Sequence, residues 1–127
     1  MTQATLEHVN ITVSNPKRTA QKLHDIYDWK IRWEGDAIDN GYTYHVGSDD
    51  CYLAIYSQGR TIDPNHESYK LLGGLNHIAI VVDDLDGTEE RVLQAGYKTF
   101  SHGDYEPGRR FYYRDEDDIE FEVVSYQ

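Results

Sequence analysis

The stretch that decides the fold is "LNHIAIVVDDL", residues 75–85, in which a histidine is the third residue of a run of apolar side chains. Residues 6–16, "LEHVNITVSNP", have the same form, and an offset of 69 residues places His8 on His77. In both runs, large apolar residues alternate with others, which is typical of a half-buried strand. The chain therefore uses one structural unit twice.

A helix is predicted after each of these strands. The first helix covers about residues 16–27, because Asn15 can cap its start and Pro16 suits the first helical position. The second covers about residues 85–95 and ends at Gly96, since glycine commonly terminates helices. The order of strand and helix is thus the same in both halves.

Three short aromatic or β-branched runs follow each helix and predict three further strands. They are "KIRWEG" (30–35), "GYTYHVG" (41–47) and "CYLAIYS" (51–57), then "YKTFS" (97–101), "RRFYYR" (109–114) and "IEFEVVS" (119–125). Each half therefore has the order β-α-β-β-β, and the fold class is α+β with two tandem βαβββ modules. The modules cover about residues 5–57 and 75–126, and a turn-rich linker covers about 58–74. In the later strands, the two modules align with an offset of 68 residues instead of 69, and this alignment places His45 on Tyr113.

Length and composition limit the possible functions. The 127 residues fit one domain, residues 1–127. A formal charge of -11 argues against binding to nucleic acid or anionic membranes, which requires clustered Lys and Arg. We expect a cytoplasmic protein, because no run has the length of a membrane span and the start lacks the features of a signal peptide. The one cysteine, Cys51, precludes an internal disulfide and is interpreted as a packing residue.

The alternation places possible ligands on one face. His8 and His77 have the opposite parity to the large apolar residues of their strands, so they point away from the helices. In the last strand, Glu120 and Glu122 share one parity, and parity does not choose between them. Glu120 is nearer the turn and is interpreted as a solvated charge at the strand end. Two imidazoles and one carboxylate form the facial set that binds a divalent transition metal and leaves positions open for water or substrate.

These features resemble the vicinal oxygen chelate superfamily, which contains the glyoxalases, the bleomycin and fosfomycin resistance proteins and the extradiol dioxygenases. The resemblance rests on "LEHVNITVSN", "LNHIAIVVDDL" and the closing "YYRDEDDIEFEVV". It implies paired modules whose mixed sheets curve around a cleft, with a divalent metal (Fe, Mn, Ni or Zn) on His8, His77 and Glu122. In that superfamily the metal acts as a Lewis acid on a substrate chelated through neighbouring oxygens. The resemblance also implies a homodimer, in which the ligands come from one chain or from two.

The sequence departs from one branch of this superfamily. Lactoylglutathione lyases have a fourth ligand, a carboxylate, at the position of Ala54, so the chain is not expected to be a typical member of that group. His45, His102 and Tyr105 are candidates for further catalytic residues. For the substrate pocket, the candidates are Tyr52 and Tyr56, together with Arg109 or Arg110, of which alternation sends only one inward.

Two functions follow from these features. The first is a metal-dependent enzyme with lyase, isomerase or dioxygenase chemistry that acts on a small oxygenated metabolite. The second is a metal-free binding protein that sequesters a drug, as bleomycin resistance proteins do; the charge of -11 would suit a cationic drug. Sequestration does not require ligand-type residues at all three positions, and this favours the enzyme.

Overall fold

The computed structural model describes residues 2–64 and 67–127, and the chain divides into two compact units, Met1–Ile62 and Asp63–Gln127. The boundary falls inside the predicted linker, whose Asn65 and His66 lie outside the described residues. Each unit contains one helix and one four-stranded mixed sheet. The predicted α+β fold of two βαβββ modules is confirmed.

Unit 1, Met1–Ile62, contains the first module. Its elements are β1 (His8–Thr12), α1 (Pro16–Tyr27), β2 (Lys30–Ala37), β3 (Gly41–Gly47) and β4 (Tyr52–Ser57), with a short 3-10 helix at Ile38–Asn40. The strand order is β1-β4-β3-β2. The first and last strands are parallel, and the other neighbours are antiparallel.

Unit 2, Asp63–Gln127, repeats this plan. A 3-10 helix at Ser68–Lys70 precedes β5 (Ile78–Val81), α2 (Leu85–Gln94), β6 (Thr99–Tyr105), β7 (Gly108–Arg114) and β8 (Glu120–Ser125). The strand order is β5-β8-β7-β6, again with a parallel pair of first and last strands. Among the described residues, helices α1 and α2 span 12 and 10 residues, and neither has the length and apolar character needed to cross a membrane.

The helices begin at side-chain caps that the sequence supplies. Asn15 accepts a hydrogen bond from the backbone N–H of Arg18 at 3.1 Å, and Asp84 accepts one from that of Gly87 at 3.0 Å. These bonds satisfy N–H groups that have no partner within the helix. Helix α1 then buries one stripe of side chains, which includes Ala20, Leu23 and Ile26. The two caps therefore set the residue at which each helix begins after its strand.

The apolar faces of the sheets pack against these helices. In β1, Val9 and Ile11 are partly buried and the following Val13 is 1% exposed, whereas His8 and Thr12 are exposed. Unit 2 has the same alternation, with Ile80 buried between exposed neighbours. The predicted alternation in the opening strands is confirmed. We call the opposite face of each sheet the site face; it carries His45 and Ala54 in unit 1, and Arg110 and Glu122 in unit 2.

The offset of 68 residues that places His45 on Tyr113 is wrong by one residue. Ala54 lies opposite His45, and Glu122, which occupies the same place in β8, lies opposite Tyr112. The reason is that the connection between β7 and β8, residues 115–119, is one residue longer than residues 48–51 between β3 and β4. Tyr113 lies on the buried face and is 1% exposed. His45 therefore corresponds to Tyr112.

Candidate metal and ligand site

His77 and Glu122 lie close together on the site face of unit 2. His77 directly precedes β5, and the parallel register with β8 brings its Nε2 to 3.2 Å from Oε1 of Glu122. The side chain of His77 is 34% exposed and that of Glu122 is 9% exposed. Neighbouring ligands of one divalent ion are about 3 Å apart when each bond is about 2.1 Å long and they meet near a right angle. The pair fits that geometry.

The other carboxylate oxygen of Glu122 has a cationic partner. Arg110, on the neighbouring strand β7, donates from Nη1 to Oε2 of Glu122 at 2.9 Å. Both side chains are largely buried, at 15% and 9% exposed, so the pair is shielded from water. Nε and Nη2 of Arg110 are buried and have no hydrogen-bond partner among the described residues. Arg110 therefore fixes the orientation of Glu122 and leaves Oε1 directed at His77.

Glu120 is not the solvated strand-end charge that the sequence suggested. Its side chain is 11% exposed, and its Oε1 accepts a hydrogen bond from Nη2 of Arg114 at 3.0 Å. Its Oε2 accepts one from the hydroxyl of Tyr69 at 3.2 Å. The interpretation was wrong because Arg114 lies directly opposite Glu120 in the sheet and Tyr69 is supplied by the 3-10 helix before β5.

The second ring nitrogen of His77 faces this group. Nδ1 lies 3.3 Å from the hydroxyl of Tyr69 and 3.7 Å from Oε2 of Glu120. The ring of Tyr112 meets the imidazole edge-on, with centroids 5.9 Å apart. Loss of hydration raises the pKa of Tyr69, and the hydrogen bond to Glu120 adds to the effect. The Tyr69 hydroxyl therefore keeps its proton at neutral pH.

The site face of unit 1 carries an array of rings. The imidazole of His8 stacks on Tyr52 at 4.8 Å between centroids, and His45 stacks on the same tyrosine at 4.6 Å. Trp33 lies 5.1 Å from His45, and the guanidinium of Arg32 lies 4.6 Å from the centre of the Tyr52 ring. The Tyr52 ring lies under the cation of Arg32, and the indole of Trp33 is half-exposed. This face therefore suits a planar ligand that stacks on aromatic rings.

Charges at the edge of this array are paired. His8 Nδ1 lies 2.8 Å from Oε1 of Glu7, and this hydrogen bond lowers the pKa of Glu7. Burial lowers the pKa of His45, and the nearby His8 contributes to the shift. His45 is therefore a neutral imidazole at pH 7.

The position of the fourth ligand in lactoylglutathione lyases is apolar in this chain. Ala54 is 2% exposed and lies between Asn10 of β1 and His45 of β3. Tyr56, on the same face, is 8% exposed, and its hydroxyl donates to the carbonyl of Ile38 at 2.7 Å. Tyr56 thus anchors the connection between β2 and β3, whereas Tyr52 is the more accessible of the two predicted pocket tyrosines.

The structure distinguishes the two adjacent arginines. Arg110 lies on the site face with Glu122, whereas Arg109 points the other way and donates to Asp86 of α2 at 2.9 Å. The hydrogen bond to Asp86 raises the pKa of Arg109. Both arginines line a cavity of about 190 Å³ at the edge of unit 2, together with His102.

The other two candidates for catalytic residues, His102 and Tyr105, lie away from the His77–Glu122 pair. His102 Nε2 lies 2.6 Å from Oε2 of Glu89, which also accepts a hydrogen bond from Thr99. Tyr105 is 62% exposed, and the guanidinium of Arg110 lies 5.3 Å from its ring centre. Neither residue contacts the His77–Glu122 pair.

Cys51 is exposed, so its interpretation as a packing residue was wrong.

The structure thus brings together two of the three predicted ligands, His77 and Glu122, and places His8 in the other unit. Across residues 2–64 and 67–127, no three His, Cys, Asp or Glu side chains are grouped so that they could hold one ion. Sequence reasoning missed Tyr69, which lies in the segment assigned to the linker.

Comparison with known proteins assigns the family. The model of the glyoxalase/bleomycin resistance protein/dioxygenase superfamily matches residues 5–123. The chain belongs to this superfamily. No curated protein sequence matches the chain.

Several solved structures have the same fold as this chain. A glyoxylase/bleomycin resistance protein/dioxygenase domain from Frankia sp. EAN1pec is 24% identical, with a TM-score of 0.81 over 99% of this chain and 100% of that one. The fosfomycin resistance protein FosX from Listeria monocytogenes, solved with Mn(II) and sulfate, is 18% identical, with a TM-score of 0.74 over 98% and 93%. The antibiotic binding protein TnmS3 from Streptomyces sp. CB03234 is 15% identical, with a TM-score of 0.75 over 98% of each chain.

Proposed function

We propose that this member of the superfamily is a metal-dependent enzyme in which His77 and Glu122, together with His8, hold a divalent metal ion. A small oxygenated metabolite would bind the ion through two neighbouring oxygens. The observation that carries the proposal is the separation of 3.2 Å between Nε2 of His77 and Oε1 of Glu122. His8 enters the proposal through the sequence repeat and the superfamily resemblance, from the same chain or from a second chain of a homodimer.

The donor set suits a divalent ion because the other polar atom of each ligand is already engaged. Arg110 binds Oε2 of Glu122, and the hydroxyl of Tyr69 lies against Nδ1 of His77. This leaves a carboxylate oxygen and an imidazole nitrogen directed at each other. Two lone pairs at this distance repel unless a proton or a cation lies between them, and imidazole with carboxylate suits Mn, Fe, Ni or Zn. The Mn(II) in the FosX structure supports the same class of ion.

A bound ion would supply Lewis-acid polarisation of the substrate oxygens. The chain's own residues set the conditions for that chemistry. Arg110 compensates the charge of the buried Glu122 and holds its orientation, and both are shielded from water. Ala54 supplies no carboxylate in unit 1, so we propose a reaction other than that of the lactoylglutathione lyases, whose fourth ligand serves as the proton shuttle.

The test is metal analysis of protein purified without added metal. We expect the wild-type chain to retain a divalent transition metal and His77→Ala to lose most of it. His102→Ala is the matched control, because His102 also lies beside a carboxylate of unit 2 but makes no contact with the His77–Glu122 pair. Equal metal content in the wild type and in His77→Ala would refute the proposal.

A second candidate is favoured by the ring array of unit 1. Stacked rings with a half-exposed Trp33, on a chain of net charge -11, suit the sequestration of a planar cationic compound without metal. TnmS3 is an antibiotic binding protein of the same fold. Calorimetric titration with a cationic aromatic drug distinguishes the candidates. Tight binding that survives a chelator and is lost in Trp33→Ala would favour sequestration over the enzyme.

The superfamily resemblance also supports a homodimer. Light scattering after size-exclusion chromatography tests this expectation directly. A mass near 14.7 kDa, that of one chain, would show a monomer and would require His8 to act within its own chain.

A further inference from the structure

We propose that Tyr69 and Glu120 position the metal ligand His77 by holding its Nδ1–H, so that Nε2 is presented to the metal. The inference rests on the proposed function, since it concerns how one of its ligands is oriented. Tyr69 and Glu120 are positioning residues, because they act through His77 and not on the substrate.

The directions of the hydrogen bonds decide which nitrogen carries the proton. The hydroxyl of Tyr69 donates to Oε2 of Glu120 at 3.2 Å, so its oxygen is left as an acceptor. That oxygen lies 3.3 Å from Nδ1 of His77. A neutral imidazole has one N–H, and placing it on Nδ1 satisfies this acceptor. The lone pair then lies on Nε2, which faces Oε1 of Glu122 at 3.2 Å.

The hydroxyl is necessary to this arrangement. Oε2 of Glu120 itself lies 3.7 Å from Nδ1, beyond hydrogen-bonding distance. Tyr69 bridges this gap, and Arg114 fixes the far side of the carboxylate at 3.0 Å. The result is a continuous chain of hydrogen bonds from the imidazole through the phenol to the carboxylate and the guanidinium.

The segment that carries Tyr69 is held in place by its own backbone. Lys70 N–H donates to the Glu67 carbonyl and Leu71 N–H to the Ser68 carbonyl, each at 3.1 Å. Gly74 N–H then donates to the Leu71 carbonyl at 3.0 Å, and a Cβ on Gly74 would collide with the carbonyl oxygen of Ser68. The turn is therefore built closely around the position from which Tyr69 reaches His77.

Metal-binding histidines commonly donate their other ring N–H to a partner that fixes the tautomer, and loss of that partner costs about 10- to 100-fold in metal affinity. We therefore expect Tyr69→Phe and Glu120→Gln each to weaken binding of Mn(II) about tenfold. Because the two side chains act in one chain of hydrogen bonds, the double variant should be no weaker than the weaker single variant.

The experiment titrates Mn(II) alone into the full-length protein and follows free Mn(II) by electron paramagnetic resonance. Tyr126→Phe is the matched control for Tyr69→Phe, because both tyrosines are 61% exposed. Glu90→Gln, on the exposed side of α2, is the control for the loss of a carboxylate. Both controls should bind Mn(II) as the wild type does.

A second readout reports the hydrogen bond itself. In the Zn(II)-loaded protein, the imidazole Nδ1–H of His77 should give a slowly exchanging NMR resonance in the wild type and the controls. The resonance should broaden or vanish in Tyr69→Phe, an effect that general loosening of the turn would not confine to one proton.

Each outcome decides between the claims. If the wild type binds Mn(II) and both Tyr69→Phe and Glu120→Gln bind it equally well, the positioning role is wrong while the proposed metal site stands. If the wild type binds Mn(II) no better than His77→Ala, the proposed function is wrong and the positioning role fails with it.

Discussion

In unit 1 the imidazole of His8 lies in a stack of rings, whereas in unit 2 the imidazole of His77 lies between a carboxylate and a phenol. The two units share element order and strand pairing, so the backbone does not account for the difference. Two positions on the site face of the last strand do. They are Tyr52 and Ala54 in unit 1, which correspond to the carboxylates Glu120 and Glu122 in unit 2.

The neighbours of Ala54 and Glu122 on the adjacent strand also differ in charge. Arg110 binds Glu122, and the corresponding residue of β3 is Thr43, which is 6% exposed. A buried carboxylate requires a buried cation, and a methyl group requires none. The same backbone plan therefore holds an ion pair, Arg110 with Glu122, in unit 2 and two uncharged residues, Thr43 and Ala54, in unit 1. Both positions differ together, so neither unit buries an unpaired charge there.

The largest expected effect comes from breaking that pair in unit 2. Glu122→Leu leaves the guanidinium of Arg110 buried without its carboxylate and should lower the free energy of unfolding by about 4 kcal/mol. Urea denaturation measures this loss. The double variant Glu122→Leu with Arg110→Leu should recover most of the stability, and a loss in the single variant below about 1 kcal/mol would show that the pair is not desolvated.

The next effect comes from placing the carboxylate of unit 2 into unit 1. Ala54→Glu would bury a charge beside a neutral His45 with no cation at position 43, and should cost about 3 kcal/mol of stability. Ala54→Gln is the control for size, and the difference between the two variants should shrink at low pH. Equal stability of the two variants at neutral pH would show that a charge at position 54 carries no cost of its own.

The turns before the last strands give a pH-dependent contrast. Asp115 Oδ1 accepts hydrogen bonds from the N–H groups of Asp117 and Ile119, at 2.9 and 3.0 Å, whereas in unit 1 the neutral hydroxyl of Ser48 accepts from two N–H groups. Burial outweighs these bonds and raises the pKa of Asp115 from 3.8 to about 6.

Because the folded-state pKa is the higher one, Asp115 destabilises the fold as pH rises through the window from 3.8 to about 6. Relative to Asp115→Ser, the wild type should lose on the order of 2 kcal/mol between pH 4 and pH 7. Chemical denaturation of both proteins at the two pH values measures this. A constant difference in stability across that range would mean that the carboxyl is not protonated in the folded state.

The smallest effect is expected at the exposed arginine. Arg109 and Asp86 form an ion pair whose side chains are 46% and 75% exposed, so Arg109→Ala should leave the free energy of unfolding nearly unchanged. Arg110→Ala, one residue along, should lower the free energy of unfolding severalfold more, because it leaves the buried carboxylate of Glu122 without its partner. Thermal or urea unfolding of the two variants compares them, and equal losses would remove the distinction between the two faces of β7.

Much of this architecture follows from periodicity. Alternation located the opening strands, and Asn15 with Pro16 marked the start of α1. The period of two placed Glu120 and Glu122 on the same face as His77 but did not choose between them, and only the observed pairing of β5 with β8 gives the register. The cross-strand partner of Glu120 could not be predicted, because it depends on a hairpin one residue longer than its counterpart.

Tyr69 could not be found from the sequence for a different reason. It lies in a turn without periodicity, and its reach to His77 depends on backbone hydrogen bonds of the 3-10 helix. Likewise, alternation showed that Arg109 and Arg110 face opposite ways, but only the pairing of β7 with β8 and the position of α2 tell which one meets Glu122.

The most direct test of the central claim is the affinity of the wild type and of Glu122→Gln for Mn(II), measured by electron paramagnetic resonance. The substitution keeps the size of the side chain and an acceptor for Arg110 while removing the anionic ligand. We expect one Mn(II) per chain in the wild type and at least about 10- to 100-fold weaker binding in the variant. Equal binding by the two proteins would show that Glu122 is not a metal ligand.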